Sequence, residues 1–554
     1  MNILSSVEQK IKERIQEAAF AAKREGKISF ETLPSFVLEK PRDKSHGDYA
    51  VNLAMALTKQ AKMNPRAIAE ALIEYFERKD TYVADMTIAG PGFINMSLDP
   101  AWHDQVIPEV LAAGAKYGRS SYGNNKRVQV EFVSANPTGI PHMGNARGAA
   151  LGDTIATLLD AAGYAVEREY YVNDAGNQII KFGESLQARY LQALGQDVDF
   201  PEDGYHGEDI TETVAGYVEL HGNELLSLDE EERKEILVKY ALSEKLRVIR
   251  EDLERFGVKY DNWFFESTLY ESGAVQKTLD RLRERGLIYE KDGASWLAAT
   301  KYGEEKDEVM VRQNGTPTYF AADIAYHLNK YERGFETLIN VWGADHHGHV
   351  GRMKNVINAL GKDPDSLEVV LMQLVRLFSG GEIVRMSKRT GRFISLGELM
   401  NEVGVDASRY FFVMRSADSH LDFDMDLAKS ENSENPVFYV QYAHARIASI
   451  LRQQEGENKV ADLSLLTHEA EIQLIEKIAE LPSMIIHAAE TREPHRLCGY
   501  AHELASLFHS FYGKCRVLNI EPELSCARLE LMRATKITLS NVLGMIGVSA
   551  PERM

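Results

Sequence analysis

Apolar residues recur at helical spacing near the start of the chain: Val7, Ile11, Ile15 and the pair Ala18 and Ala19. That period predicts an amphipathic helix over residues 1–25. Asn64-Pro65 reads as an N-cap followed by a proline at the first helical position, with Ile68, Leu72, Ile73 and Phe76 on the apolar face behind it. Two strand-like runs, 82–88 and 93–98, flank the turn Gly90-Pro91-Gly92, and a further helix is expected over about 100–114. Residues 1–118 therefore read as a compact α+β unit.

The pattern changes near residue 120. Val128, Val130, Phe132 and Val133 form a short β-branched and aromatic run, and Pro137, Gly139 and Pro141 then punctuate a loop. After Gly144, Ala149, Ala150, Ile155, Ala156, Leu158 and Leu159 predict a helix that ends before Gly163, and a second strand follows at 166–172. Strand, Gly/Pro loop, helix is the opening of a parallel α/β nucleotide-binding unit, with Asn173-Asp174-Ala175-Gly176-Asn177-Gln178 beyond the second strand on the ligand-facing edge. Residues 185–250 are helical and acidic, including Glu230, Glu231 and Glu232, and read as an insertion with a solvated face. Candidate strands lie at 295–297, 308–312 and 316–320, and a buried-type strand at 338–342.

From about residue 430 the chain is helical. Asn435-Pro436 caps a helix with Val437, Val440, His444, Ile447 and Leu451 on one face. Helices at 468–488, 494–514 and 525–546, the last with Ser525 as N-cap, complete a bundle. The expected architecture is a Rossmann-like α/β domain at 119–429, an α+β domain at 1–118 before it and an α-helical bundle at 430–554 after it.

Composition narrows this picture. No apolar run in the 554 residues approaches the ~20 that a membrane span needs, and the first residues lack a secretory hydrophobic region. Cys498, Cys515 and Cys526 lack C-x-x-C spacing and read as reduced thiols of a cytoplasmic protein. A net charge of −20 argues against indiscriminate polyanion binding, leaves room for a local basic face, and suits a cationic small substrate. Solubility alone explains the charge equally well. There is no internal repeat.

The chemistry concentrates in Ser134-Ala135-Asn136-Pro137-Thr138-Gly139-Ile140-Pro141-His142-Met143-Gly144-Asn145-Ala146-Arg147. Backbone N–H groups at a helix start attract phosphate, His142 adds a side-chain donor there, and Gly144 admits a ligand close to the backbone. Later, Arg385-Met386-Ser387-Lys388-Arg389-Thr390-Gly391 forms a basic stretch after Gly380-Gly381. The first stretch resembles the HIGH signature of class I aminoacyl-tRNA synthetases, in the version carried by arginyl-tRNA synthetases. Asn145 stands in for the second histidine of the signature, so it can donate a hydrogen bond but carries no charge. The second stretch resembles the KMSKS signature, with Arg385 in place of the first lysine and Lys388 retained. Each stretch alone is compatible with an ordinary loop. Their pairing in order argues against that reading.

The resemblance implies an arginine–tRNA ligase that uses ATP with Mg²⁺, has L-arginine and tRNA(Arg) as partners, and works as a cytoplasmic monomer without a membrane or a protein-bound metal. It implies catalytic roles for His142, Asn145 and Lys388. Thr138, Gly139, Gly144, His346, Arg385, Met386, Ser387 and Arg389 would join them around ATP. Glu131, Ser134, Asn136, Tyr319, Asp323 and Asp345 would form the arginine site. Tyr319 and Asp323, four apart, share a face if the helix has begun by Tyr319, and an aromatic plate beside a carboxylate suits a planar guanidinium. The histidines of Asp345-His346-His347-Gly348-His349 lack the Cys or Glu partners of a strong zinc signal. Phe93 and Asn95 resemble tRNA-elbow contacts of the family's N-terminal extension, where an aromatic stacks on a base and an amide reads its edge. A core Phe93 and a sheet-bound Asn95 fit the sequence as well. Tyr439, Gln441 and Arg446 resemble positions of the anticodon-binding domain. Two other readings are a small-molecule amino-acid ligase or another class I synthetase using the same ATP site, and a catalytically silent tRNA-binding or regulatory protein. The pocket residues and the C-terminal bundle oppose the first, and His142, Gly144 and Lys388 oppose the second.

Overall fold

The computed structural model describes residues 3–41, 43–384, 394–454 and 461–554. Helix α1 (Ile3–Arg24) buries Val7, Ile11, Ile15, Ala18 and Ala19 as its period requires. Strands β1 (Leu38–Glu39), β2 (Tyr49–Val51), β3 (Val83–Ala89) and β4 (Phe93–Leu98) pair antiparallel in the order β1-β2-β4-β3, with α2 (Leu53–Ala61) and α3 (Pro65–Glu74) packed against them. The Asn64 side-chain oxygen accepts the Arg66 N–H at 2.9 Å, so the cap works as expected. Helix α3 stops at Glu74, and Phe76 is buried beyond its end rather than on its face. Helix α4 (His103–Ala113) leads out of this unit.

A parallel five-stranded sheet follows. Its first members are β5 (Arg127–Glu131) and β6 (Ala165–Val172), joined by α5 (Met143–Ala161). Helices α6 (Asn177–Ala193), α7 (Glu208–His221) and α8 (Glu230–Arg255) build the insertion. It has its own apolar core, with Phe182, Leu186, Tyr190, Ile210 and Leu237 buried together. Strand β7 (Asn262–Phe265) rejoins the sheet, followed by α9 (Ser267–Glu271) and α10 (Ala274–Glu284). Strands β8 (Ile288–Lys291), β9 (Ala294–Leu297) and β10 (Glu308–Val311) form a separate antiparallel sheet. The strand expected at 316–320 is absent: Pro317 makes one bridge to Val311, and helix α11 (Tyr319–Glu332) starts two residues later. Thr318 explains the change, because its N–H and hydroxyl donate to the carbonyls of Met310 and Val309 and turn the chain into the helix.

Strand β11 (Thr337–Gly343), helix α12 (His347–Ala359) and strand β12 (Leu367–Met372) complete the parallel sheet in the order β12-β11-β5-β6-β7. Strands β13 (Val375–Ser379) and β14 (Glu382–Ile383) form a hairpin whose turn, Gly380-Gly381, takes φ +61° and +77°, angles glycine adopts without a Cβ penalty. Helices α13 (Leu396–Val403) and α14 (Val405–Val413), strand β15 (Leu421–Asp424) and helix α15 (Met425–Lys429) lead to the bundle. The bundle comprises α16 (Pro436–Arg452), α17 (Glu469–Thr491), α18 (His495–Lys514) and α19 (Pro522–Ile546). Ser525 is not the cap of α19. Glu521 holds that place with Pro522 at the first helical position, and the Ser525 hydroxyl donates to the Val517 carbonyl at 2.7 Å from inside the helix.

The units are tied by buried polar links. Helix α4 packs on α17 and α19, and the Tyr117 hydroxyl donates to the Ile478 carbonyl at 2.9 Å. Arg409 is fully buried and donates to the carbonyls of Ile546 (2.7 Å) and Phe256 (3.0 Å) and to Asp153 Oδ2 (2.6 Å). It thereby joins α14, α19, the end of α8 and α5. Arg409→Met retains bulk but leaves two carbonyls without this donor and takes one cation from Asp153, which keeps Arg168 at 3.3 Å, and removing one partner of a buried pair costs about 3–5 kcal/mol. A marked fall in melting temperature is the expected result, read by calorimetry. An unchanged melting temperature contradicts the linking role.

Candidate active site

Strand order reverses between β5 and β11, so their carboxyl ends open a crevice at a topological switch point. The chain leaves β5 under strain. Val133 (φ +68°) and Ser134 (φ +39°) both lie in the left-handed region, which a β-branched residue rarely occupies. Two tyrosines hold this exit: Tyr260 donates to the Phe132 carbonyl at 3.1 Å and Tyr170 to the Ala135 carbonyl at 2.8 Å. Helix α5 crosses close beneath at Gly152, where a Cβ would collide with the Phe132 ring. Thr138 and Gly139 are half-buried in the loop that follows.

His142 is the N-cap of α5. Its Nδ1 accepts the Gly144 N–H at 3.1 Å, and Asn145 Oδ1 accepts the His142 N–H at 3.0 Å, forming a capping box. Because Nδ1 accepts, the proton of the neutral ring sits on Nε2, the nitrogen away from the helix. The ring is exposed beside the positive end of the helix. His142 also bridges Ser395, and Pro141 O accepts the Leu396 N–H at 2.9 Å. The chain that returns from residues 385–393 is thus fastened to this helix start. Arg385, Met386, Ser387, Lys388 and Arg389 themselves lie outside the described residues. One turn into α5, the fully buried Arg147 donates to the carbonyls of Gln373 (2.7 Å) and Ser416 (2.9 Å), and desolvation lowers its guanidinium to about 10.

On the other side of the crevice, α11 lies over a row of polar residues in register across three strands: Asn340 on β11, Glu131 on β5 and Glu169 on β6. Lys330 donates to Glu131 Oε2 at 2.6 Å, and Arg333 pairs with Glu169. Glu131 also accepts the Ser134 hydroxyl at 3.0 Å. Asp323, one turn after Tyr319, places Oδ2 at 2.5 Å from His349 Nε2 and Oδ1 at 3.2 Å from His327 Nδ1. Burial alone would raise this carboxyl, but the two imidazoles hold it well below the usual carboxylate range. The Tyr319 hydroxyl is raised by desolvation within the concavity and then by the charges of Asp323, Glu131 and Glu266, although the residue is 58% exposed overall. Glu266, at the end of β7, is buried and pushed up to about 7 by desolvation, with Tyr171 and Tyr270 donating to it. Three carboxylates and a tyrosine thus converge. Asn136 is exposed, and its amide donates to Gln178 Oε1 at 2.8 Å.

Sequence reasoning missed His349, His327, Glu266, Lys330 and Asn340 as members of this cluster. The available signal was a carboxylate in each of two inner strands, Glu131 on β5 and Glu169 on β6, and a buried carboxylate demands a partner. The structure does not bring Asp345 into the cluster: its side chain is 83% exposed, 3.8 Å from His346. The reason is that Asp345 lies in the turn Ala344–His346, beyond the end of β11. Of the neighbouring histidines, His346 and His349 both lie beside the Trp342 ring, at 5.9 and 5.5 Å, and His349 meets Asp323.

Two proposed RNA-contacting amides are buried. Asn95 is 8% exposed because β4 is an inner strand, flanked by β2 and β3, while Phe93 is half-buried at its start. Gln441, also 8% exposed, donates to Asp406 Oδ2 (2.8 Å) and the Ser549 carbonyl (3.0 Å), joining α16 to the chain end. For Asn95 this is the sheet-bound placement that the sequence left open, whereas the Gln441 amide is engaged inside the fold rather than presented to RNA. Tyr439 packs against His502 and His509, and the Arg446 guanidinium lies 4.6 Å from the Tyr512 ring centre.

A parallel sheet with a capped helix start at its switch point is a nucleotide-binding α/β architecture, and here it is the catalytic domain of a class I aminoacyl-tRNA synthetase. Residues 106–421 match the model of the tRNA synthetases class I (R) catalytic domain. Residues 5–98 match the arginyl tRNA synthetase N terminal domain and residues 440–554 the DALR anticodon binding domain. The chain is 58% identical over 561 residues to an arginine–tRNA ligase of Desulfitobacterium hafniense, covering 100% of both. It is 58% identical over 560 residues to that of Moorella thermoacetica, again covering 100% of both. The Thermus thermophilus arginyl-tRNA synthetase structure has the same fold, with a TM-score of 0.75 at 24% identity, covering 98% of this chain and 100% of that one. The chain belongs to the arginyl-tRNA synthetase family.

Proposed function

We infer that the protein ligates arginine to the 3′ end of tRNA(Arg) in two steps. The α-carboxylate of arginine attacks the α-phosphorus of ATP, the bond to the bridging oxygen breaks, and pyrophosphate leaves. A terminal ribose hydroxyl of tRNA, the 2′ in this class, then attacks the arginyl carbonyl, and AMP leaves. Catalysis is positional and electrostatic, without a covalent enzyme intermediate. The observation that carries this reading is the carboxylate cluster of Asp323, Glu131 and Glu266 beside Tyr319, on the same sheet edge as the His142 helix start.

In this reading the guanidinium lies against Tyr319 and pairs with Asp323, with Glu266 adding charge. Glu131, Ser134 and Asn136 shape the backbone end of the substrate. His142 Nε2–H and the first N–H groups of α5 meet the phosphates, with Thr138, Gly139, Gly144, Asn145 and His346 around the nucleotide. Arg385, Met386, Ser387, Lys388 and Arg389 act from the adjoining segment, where the Lys388 ammonium follows the departing pyrophosphate. Mg²⁺ enters as the ATP complex. Phe93, Tyr439 and Arg446 contact tRNA. The protein works as a monomer in the cytoplasm, with domain limits near residues 118 and 429.

ATP–pyrophosphate exchange with each amino acid, with and without tRNA, tests the function. Of the amino acids, arginine and no other should support exchange in the presence of tRNA. Exchange driven by another amino acid, or none, overturns the reading.

The pH dependence has a definite sign. Glu266 is protonated below about pH 7, and the guanidinium favours its ionised form. Arginine KM should therefore fall as pH rises from 6 to 8, by up to about tenfold per pH unit below the transition. Glu266→Gln should flatten that dependence. A flat profile in the unsubstituted enzyme would remove Glu266 from the pocket.

A further inference from the structure

Asp323 has two claims on its charge. One is the incoming guanidinium and the other is the imidazole of His327, an inseparable neighbour one turn along α11. Were His327 an imidazolium, it would be a built-in counterion and the substrate would have to compete with it. The structure contains a device that prevents this, and it begins at Lys330.

The Lys330 ammonium is fully buried. It donates to Glu131 Oε2 at 2.6 Å and to Asn340 Oδ1 at 3.1 Å, and lies 4.3 Å from the Tyr326 ring centre. An ammonium has donors only, so the atom of Asn340 that faces it must be the oxygen. The Asn340 amide is thereby oriented, and its Nδ2 is the atom 2.8 Å from His327 Nε2. Since Nδ2 donates, His327 Nε2 must accept and carries no proton. The single ring proton then sits on Nδ1, 2.9 Å from the Asp323 carbonyl and 3.2 Å from its Oδ1. His327 is 1% exposed, so water does not replace any of these partners.

We propose that Lys330 and Asn340 are positioning residues for arginine: they hold His327 as the neutral Nδ1–H form, which reserves the Asp323 charge for the substrate guanidinium. The groups that face His327 make this a balanced arrangement. Asp323 and Lys330 approach from its own helix, His349 from α12 through Asp323, Glu131 from β5 through Lys330, and Trp342 from β11 as a neutral ring. Remove the donor from Asn340 and the acidic neighbours favour a second proton on the ring. This inference rests on Asp323 being the guanidinium partner, but the proton position does not.

The two parts are tested separately. ¹⁵N-histidine NMR of the whole enzyme, with the His327 signal identified by its loss in His327→Gln, reads the tautomer directly. A neutral ring protonated on Nδ1 at pH 7 is expected. An imidazolium, or a proton on Nε2, overturns the proposal without any other variant. Asn340→Asp then offers oxygens to both Lys330 and His327 Nε2, so it stabilises the imidazolium. Arginine KM in pyrophosphate exchange should rise about tenfold or more at pH 7, the equivalent of one pKa unit of interaction. It should recover as pH is raised, while ATP KM stays constant. In the His327→Gln background, Asn340→Asp should add no pH-dependent effect. An imidazolium in folded Asn340→Asp with unchanged arginine KM overturns the link to binding. If Asp323→Asn itself leaves arginine KM unchanged, the pocket reading fails, whereas the NMR result reports on the relay alone.

Discussion

Replacing His142 by alanine should lower arginyl-adenylate formation by about 10²–10³-fold, the usual loss on removing one preorganised donor from developing charge. Arginine affinity should change little, because the guanidinium contacts lie across the crevice. The structure adds a complication that the test must separate. His142 is also the N-cap of α5, and losing a cap costs about 1 kcal/mol of stability. His142→Asn resolves the two roles. Asparagine caps as well as histidine, so melting temperature should be restored, but its short side chain lacks the outward Nε2–H. The rate should stay low in single-turnover measurements. Recovery of the rate with the cap would make His142 a structural residue only.

Much of the frame was legible because short-range rules sufficed. The α1 period, the Asn64-Pro65 start and the β5–loop–α5 unit each express local burial or capping. The segment at 316–320 misled because Tyr319 and Phe320 suit a strand or a helix, and the choice fell to Thr318 contacts with Val309 and Met310 on a paired strand. The partners of Gln441 were illegible for a related reason. Whether an amide reads RNA or fills a gap depends on neighbours such as Ser549, 108 residues from Gln441. The candidate site was legible where motifs name it and opaque where the polar row across β11, β5 and β6 begins. Lys330 and Glu131 are 199 residues apart, and nothing in either segment's period points to the other. Residues 385–389 lie outside the described residues, and the bridge between His142 and Ser395 just after them emerged only from the fold.

Asp323→Asn should reduce kcat/KM for arginine by about 30-fold or more. Removing one partner of a desolvated charge pair costs ~2–5 kcal/mol, and ~1.4 kcal/mol is tenfold. The structure sharpens the reason. The Asp323 carboxylate is buried yet held ionised by His349 and His327, so its charge is already in place when the substrate arrives. Asparagine keeps the size, removes the charge and turns one acceptor into a donor. That donor faces either an imidazole N–H or the guanidinium, both of which need acceptors. The effect should appear as a raised arginine KM, with the ATP KM nearly constant, because the proposed phosphate site at the start of α5 does not include Asp323. A purely structural Asp323 predicts another outcome: a lower melting temperature, with normal arginine dependence in the folded fraction. Melting temperature, arginine KM and ATP KM measured on one preparation separate the two. Normal arginine dependence in well-folded Asp323→Asn protein would falsify the pairing of Asp323 with the guanidinium, and would leave Glu266 as the carboxylate to test next.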